Sequence, residues 1–120
     1  MIYIIEDDVS VREAIGTFLK CKGLKSQSFG TAEEFLALSN ADTDDILILD
    51  LNLPGISGYD LLAKLNENQT KLNIIVTTAF DEPYSRKFCL EHGAKNYLRK
   101  PVDGEALLDL IKFSLLQQTP

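Results

Sequence analysis

A three-layer α/β/α fold, with helices on both faces of a doubly wound, five-stranded parallel sheet, is predicted from three observations. Apolar runs alternate with amphipathic stretches five times along 120 residues. Three of the runs are short and almost wholly apolar, as strands buried on both faces of a parallel sheet are. The unusual polar residues fall where the runs end, and in such sheets ligands collect at the carboxyl ends of the strands.

The expected strands are Ile2–Ile5, Leu24–Phe29, Ile46–Leu49, Asn73–Thr77 and Asn96–Leu98. The expected helices lie between them and after the last. Val11, Ala14, Ile15, Phe18 and Leu19 recur at three- and four-residue spacing, one face of a helix. Phe35, Leu36 and Leu38 follow Thr31, an N-cap with Glu34 three residues on, the pattern of a capping box. Leu61, Leu62 and Leu65 follow Ser57. Phe88 and Cys89 lie in a helix expected to end near Gly93, and Ala106, Leu107, Leu110, Ile111 and Leu115 form the last stripe. Strict β-α alternation implies right-handed crossovers between parallel strands. No internal repeat, low-complexity tract or linker interrupts it, so residues 1–120 are expected to form a single domain ending in Gln117-Gln118-Thr119-Pro120.

Composition narrows the function. Hydrophobic residues are 45% and charged residues 25% of the chain, ordinary for a soluble globular protein. A net charge of -6 argues against direct nucleic-acid binding, which needs clustered Lys and Arg. The opening MIYIIEDD has no basic segment before an apolar one, and no apolar run is long enough to span a bilayer. A cytoplasmic location without membrane contact is therefore expected. Cys21 and Cys89 have no CxxC partner and are expected to be reduced thiols packed on helices.

Glu6, Asp7 and Asp8 follow the first run, Asp50 the third, Thr77 and Thr78 close the fourth, and Lys100 with Pro101 closes the fifth. Singly, each has a duller explanation: charge complementing a helix dipole, a turn residue, a satisfied hydroxyl, a helix boundary. Together, at four strand ends in one crevice, they make a coherent site. Grouped carboxylates resist ionising unless a cation neutralises them, and Mg²⁺, a hard ion that keeps several waters, needs only one or two directly. With the cation bound, Asp50 becomes approachable by a phosphoryl group. Lys100 can pair with one of its oxygens and the Thr78 hydroxyl with another, which is most of what phosphoryl-transfer catalysis asks of a protein.

The segments IYIIEDDVSVRE, ILILDLNLPGISGYDLL, IIVTTAF and GAKNYLRKP resemble the four signature segments of response-regulator receiver domains of two-component signal transduction, and the likeness runs from Ile2 to about Leu115. The resemblance implies a flavodoxin-like strand order 2-1-3-4-5, the order that the chemotaxis member of the family has. It makes Asp50 the phosphoryl acceptor, and Mg²⁺ (or Mn²⁺) the cofactor. Asp7 would ligate the metal directly, Glu6 through water, Asp50 and the backbone carbonyl of Asn52 beside them, with Asp8 left solvated in the first turn of the helix. Lys100 would bind the phosphoryl group, through a cis Lys100–Pro101 bond. Thr78 would swing toward that group and Tyr97 would turn inward, switching the surface of Pro83–His92, Tyr97 and Gly104–Leu115. His92, the sole histidine, is expected to be a surface or helix-end residue on that side.

Two positions depart from the family's commonest pattern: Glu6 stands where Asp is usual, and Thr77 where an aliphatic residue is usual. Asn52 and Phe80 occupy positions that in the family tune aspartyl-phosphate hydrolysis, and a Phe there should hinder an attacking water. The implied partners are a sensor histidine kinase or phosphotransfer protein, and a second copy of the chain through the switched surface. SFGTAEEFLA further resembles regulators with helix-turn-helix outputs, so the chain is either free-standing or part of a longer regulator. The resemblance implies a signalling switch rather than an enzyme. An aspartate-nucleophile phosphatase would carry its nucleophile in a DxD motif on the first strand, where this chain has Glu6-Asp7-Asp8. An interaction module that works without phosphorylation would be expected to lose an acidic residue or the lysine, and both are present.

Overall fold

The computed structural model describes residues 1–38, 41, 44–69 and 72–116. Its elements alternate without exception: β1 Ile2–Ile5, α1 Val9–Cys21, β2 Ser26–Phe29, α2 Ala32–Leu38, β3 Ile46–Asp50, α3 Gly58–Glu67, β4 Asn73–Thr78, α4 Pro83–Glu91, β5 Ala94–Arg99 and α5 Gly104–Leu116. The strands form one parallel sheet in the order β2-β1-β3-β4-β5. The expected architecture and strand order are both present. No helix among the described residues is long and apolar enough to cross a membrane.

Two apolar layers flank the sheet. On one side Tyr3, Ile5, Leu47, Leu49, Ile74 and Val76 pack with Phe35, Leu61 and Leu62 of α2 and α3 and with Cys89 of α4. On the other, Ile2, Ile4, Ile46, Ile48 and Ile75 meet Leu19 of α1 and Leu107 and Ile111 of α5. Successive strand residues alternate between the layers, so β1 and β3 are buried throughout and read as unbroken apolar runs. Each fully buried aliphatic or aromatic side chain contributes about 1.5–3 kcal/mol of transfer free energy.

The helix starts are chemical. Asp8 accepts from the Val11 N–H at 3.1 Å, Thr31 from the Glu34 N–H at 3.1 Å and Ser57 from the Asp60 N–H at 3.1 Å, each satisfying a donor that the helix leaves open. At Thr31 the Glu34 carboxylate returns to the threonine hydroxyl at 3.2 Å.

Several expected details shift. β2 begins at Ser26 rather than Leu24, because Gly23, with φ 78°, ends α1 and the Leu24 N–H bonds back to the Leu19 carbonyl at 2.9 Å. β5 begins at Ala94 and carries an irregularity in which the pairing passes from Ile74↔Ala94 to Ile75↔Asn96. Of the α1 stripe Leu19 is buried but Ala14 is exposed, and Val11, Ile15 and Phe18 line an apolar groove of about 760 Å³ shared with Val102 and Leu107. Leu115 is exposed, while Leu108, outside the expected stripe, is buried. Cys21 is not packed: it is exposed at the last position of α1. Cys89 is buried, and burial pushes its thiol up to about 11. The Leu38 side chain and Gln117-Gln118-Thr119-Pro120 lie outside the described residues.

Candidate phosphoacceptor site

Sheet register brings the site together. Ile5 pairs with Leu49, so the residues that follow, Glu6 and Asp50, emerge side by side. Asp50 pairs with Thr77, and Thr78 with Arg99, which puts Lys100 one residue further along. The ladders continue past the strand ends: Glu6 N–H to Phe29 O at 3.1 Å, Leu51 N–H to Thr77 O at 3.1 Å, and Lys100 N–H to Thr78 O at 2.8 Å. Backbone geometry therefore fixes all four strand ends before any side chain is considered.

Glu6 and Asp50 are each only 2% exposed, whereas Asp7 faces solvent. Carboxylate oxygens of the three lie within 4.8 Å of one another. The Lys100 ammonium bridges the buried two, at 2.5 Å from Glu6 Oε1 and 3.3 Å from Asp50 Oδ2. Burial raises the Glu6 pKa, the ammonium opposing it, and Asp50 raises it further. Burial likewise works against the charge on Lys100, but Glu6 and Asp50 outweigh it and hold its pKa above the ordinary lysine value. With all three acids ionised the cluster carries three negative charges against one positive, a surplus of two. All-oxygen donors with that surplus, one of them open to water, fit a hard divalent cation such as Mg²⁺ or Mn²⁺.

Around this centre each remaining residue has a definite place. Asn52, exposed, donates its backbone N–H to Asp50 Oδ1 at 3.2 Å and its amide to Thr78 Oγ1 at 3.4 Å. Thr78 is fully buried; its hydroxyl also accepts the Phe80 N–H at 3.1 Å and donates to the Phe80 carbonyl at 3.3 Å. Thr77 is buried as well. Asp8 caps α1 and lends its own N–H to Glu6 Oε2 at 3.2 Å. The Lys100–Pro101 bond is cis. Phe80 is 65% exposed. Tyr97 packs against the α2/α3 layer with its hydroxyl buried and without a hydrogen-bond partner among the described residues; burial first, then the Asp81 charge, push its pKa up to about 12. His92 is half-buried at the end of α4, stacked on Phe88 at 4.0 Å, with Nδ1 2.8 Å from the Phe88 carbonyl.

Two contributors escaped the reading of the sequence. Arg12, one turn into α1, donates to the Glu6 carbonyl at 2.8 Å and so fixes the start of the acidic segment. Gly58 opens α3 directly against the backbone of Asp50; a Cβ there would lie 2.4 Å from the Asp50 carbonyl oxygen. The residue was visible in the sequence, but its reason is a packing distance that no local pattern encodes.

A buried aspartate bridged by a lysine to a second buried acid, at the carboxyl ends of a 2-1-3-4-5 parallel sheet, marks an α/β domain of the receiver type. The chain belongs to the response regulator receiver domain family, whose model matches residues 2–112. It is 34% identical over 106 residues to a cyclic di-GMP phosphodiesterase of Thermotoga maritima, covering 88% of this chain and 28% of that protein. Against nodulation protein W of Bradyrhizobium diazoefficiens it is 31% identical, over 92% of this chain and 49% of that protein. The chain thus spans half or less of the length of these two relatives. A solved CheY-like receiver domain protein from Methanospirillum hungatei superposes with a TM-score of 0.87 at 30% identity, covering 98% of this chain and 94% of that one.

Proposed function

We propose that residues 1–120 act as one receiver domain in which Asp50 takes a phosphoryl group from a sensor histidine kinase, a phosphotransfer protein or a small phosphodonor, in a reaction that needs Mg²⁺ or Mn²⁺. The observation that carries this reading is the Lys100 ammonium held between Asp50 and Glu6, beside the solvent-facing Asp7. Glu6, Asp7, Asp50 and the Asn52 carbonyl would hold the cation, which when bound neutralises the acids and draws charge from a phosphoryl oxygen. A carboxylate oxygen of Asp50 attacks phosphorus, and the bond from phosphorus to the donor breaks. Lys100 then pairs with a phosphoryl oxygen in place of a carboxylate, and the Thr78 hydroxyl turns to donate to another.

The result is an acyl phosphate and a changed surface rather than turnover of an external substrate, so the chain is a cytoplasmic switch and not an enzyme. Thr78 and Tyr97 would carry the change to the α4-β5-α5 face. Exposed Tyr84, Leu90 and Phe113 on α4 and α5 suit that face to a second copy of the chain. No nucleic acid or membrane contact by this chain is part of the reading.

Incubation with acetyl phosphate should add one phosphoryl group to the intact mass. The gain should require Mg²⁺ and should vanish in Asp50→Asn. No gain under any condition would leave an interaction module that works without phosphorylation; sustained hydrolysis of a generic phosphate ester would make the chain a phosphatase. Phe80, at the mouth of the site, should slow the approach of water to the acyl phosphate. Phe80→Ala should shorten the half-life of the added mass several-fold, and an unchanged half-life would remove Phe80 from that role.

A further inference from the structure

The Thr78 hydroxyl has no spare hydrogen-bonding capacity. It donates once, to the Phe80 carbonyl, and accepts twice, from the Phe80 N–H and the Asn52 amide. A hydroxyl has one proton to give and two lone pairs. Donation to a phosphoryl oxygen therefore requires release of the Phe80 carbonyl, and the turn joining β4 to α4 loses a fastening at that moment. The next residue in the turn is Asp81.

Asp81 is where the second half of the device lies. Its carboxylate pairs with Arg86 at 3.4 Å, a long contact, and the Arg86 guanidinium sits 5.1 Å from the centre of the Tyr97 ring. Beneath that guanidinium the Tyr97 hydroxyl is buried with no partner among the described residues. A buried hydroxyl without a partner is costly, so any conformation that supplies one gains stability. Asp81 is the acid whose charge acts most on Tyr97, and its carboxylate stands near enough to act on the hydroxyl as an acceptor while still outside hydrogen-bonding geometry. One carboxylate thus stands between two donors, one already engaged and one waiting.

We propose that Asp81 is a partner-exchange residue: it is held by Arg86 while Thr78 is bonded to Phe80, and it passes to the Tyr97 hydroxyl when Thr78 turns to the phosphoryl group. The exchange links the chemistry at Asp50 to the ring on β5 through the Thr78–Phe80 hydrogen bonds and the Phe80–Asp81 peptide bond, rather than through empty space. It also makes Arg86 an inhibitor of its own switch, because the ion pair favours the resting arrangement. The proposal rests on Asp50 being the phosphoacceptor.

The test uses beryllofluoride with Mg²⁺ as the phosphoryl mimic, and 3-fluorotyrosine incorporation with the Tyr97 resonance assigned from Tyr97→Phe. Arg86→Met keeps an apolar stem over the ring but frees Asp81. It should bind beryllofluoride roughly threefold to tenfold more tightly than the parent, the size expected of one net intramolecular hydrogen bond. The gain should disappear in the Arg86→Met, Tyr97→Phe double variant and in Arg86→Met, Asp81→Ala. Without beryllofluoride, the Tyr97 fluorine resonance of Arg86→Met should move toward the position it takes in the bound parent. An affinity equal to the parent's, a gain that survives loss of the Tyr97 hydroxyl, or an unmoved resonance would each overturn the exchange. A parent that ignores beryllofluoride, or an Asp50→Asn variant that binds it equally well, would overturn the phosphoacceptor reading itself and the exchange with it.

Discussion

Replacing Lys100 with methionine should destabilise the fold by about 3 kcal/mol at neutral pH, the order seen when one partner of a buried ion pair is removed. The ammonium stands between two acids that are each 2% exposed, and its loss leaves both facing one another out of water. The sign of the pH dependence follows from Glu6. Burial already raises its pKa; without Lys100 the rise is larger, so the folded variant binds a proton that the unfolded chain has released. The variant's stability should therefore be greatest at acid pH and fall as pH climbs from the unfolded glutamate value through the raised one. Urea unfolding at pH 4.5 and pH 7 should show the gap between parent and variant widening toward pH 7. Millimolar Mg²⁺ should restore part of the loss at pH 7. A variant that unfolds with the parent at every pH would mean that Lys100 does not balance the acids.

Gly58→Ala should be the most damaging change outside the acidic cluster. Its Cβ would lie 2.4 Å from the Asp50 carbonyl oxygen and 2.5 Å from the Leu51 Cα, both backbone atoms, while the Gly58 N–H holds the Leu51 carbonyl at 2.9 Å. Neither neighbour can turn aside, so α3 and the end of β3 must separate. A loss of about 3 kcal/mol or more is expected, at the upper end of overpacking costs, with phosphoryl acceptance falling at least about tenfold as Asp50 moves. Gly16→Ala is the control. There the nearest atom to an added Cβ is the Ser26 hydroxyl at 3.9 Å, ordinary contact, and helix propensity favours alanine by about 0.8–1 kcal/mol. Denaturant unfolding should move the two variants in opposite directions, and matching shifts would show that the close approach at Gly58 is unimportant.

What the sequence made legible depended on whether the signal was local. β1 and β3 were legible because both faces are buried and every residue must be apolar. The carboxyl ends of β1 and β3 were legible for the same reason, since the first polar residue after the apolar run, Glu6 or Asp50, marks the end; β4 and β5 run one residue past the expected Thr77 and Leu98, and a parallel sheet aligns all four ends to within about that residue. That placed Glu6, Asp50, Thr78 and Lys100 together without coordinates. β5 was shortened in the reading because Ala94 and Lys95 give no periodic signal. The rest required distances between segments far apart: the Glu6 carbonyl taken by Arg12, the contact of Gly58 with β3, the Thr78 hydroxyl spent on its own turn, and the Asp81–Arg86 pair over Tyr97. Cys21 was misplaced because helix membership was read as packing, whereas the last residue of a helix has little beneath it.

The irregular pairing in β5 settles a question of parity. In a regular strand Ala94 and Tyr97, three apart, point to opposite sides. Here both belong to the α2/α3 layer, and Leu98 belongs to the α1/α5 layer, because Lys95 is the residue passed over between Ile74↔Ala94 and Ile75↔Asn96. One uncounted residue thus decides which side of the sheet the tyrosine ring occupies. The side is written in the number of residues between Gly93 and Tyr97 and in no property of tyrosine itself. Two chains with the same residues but a different count there would present opposite faces to the helices, and only one of them would set an aromatic ring under Arg86.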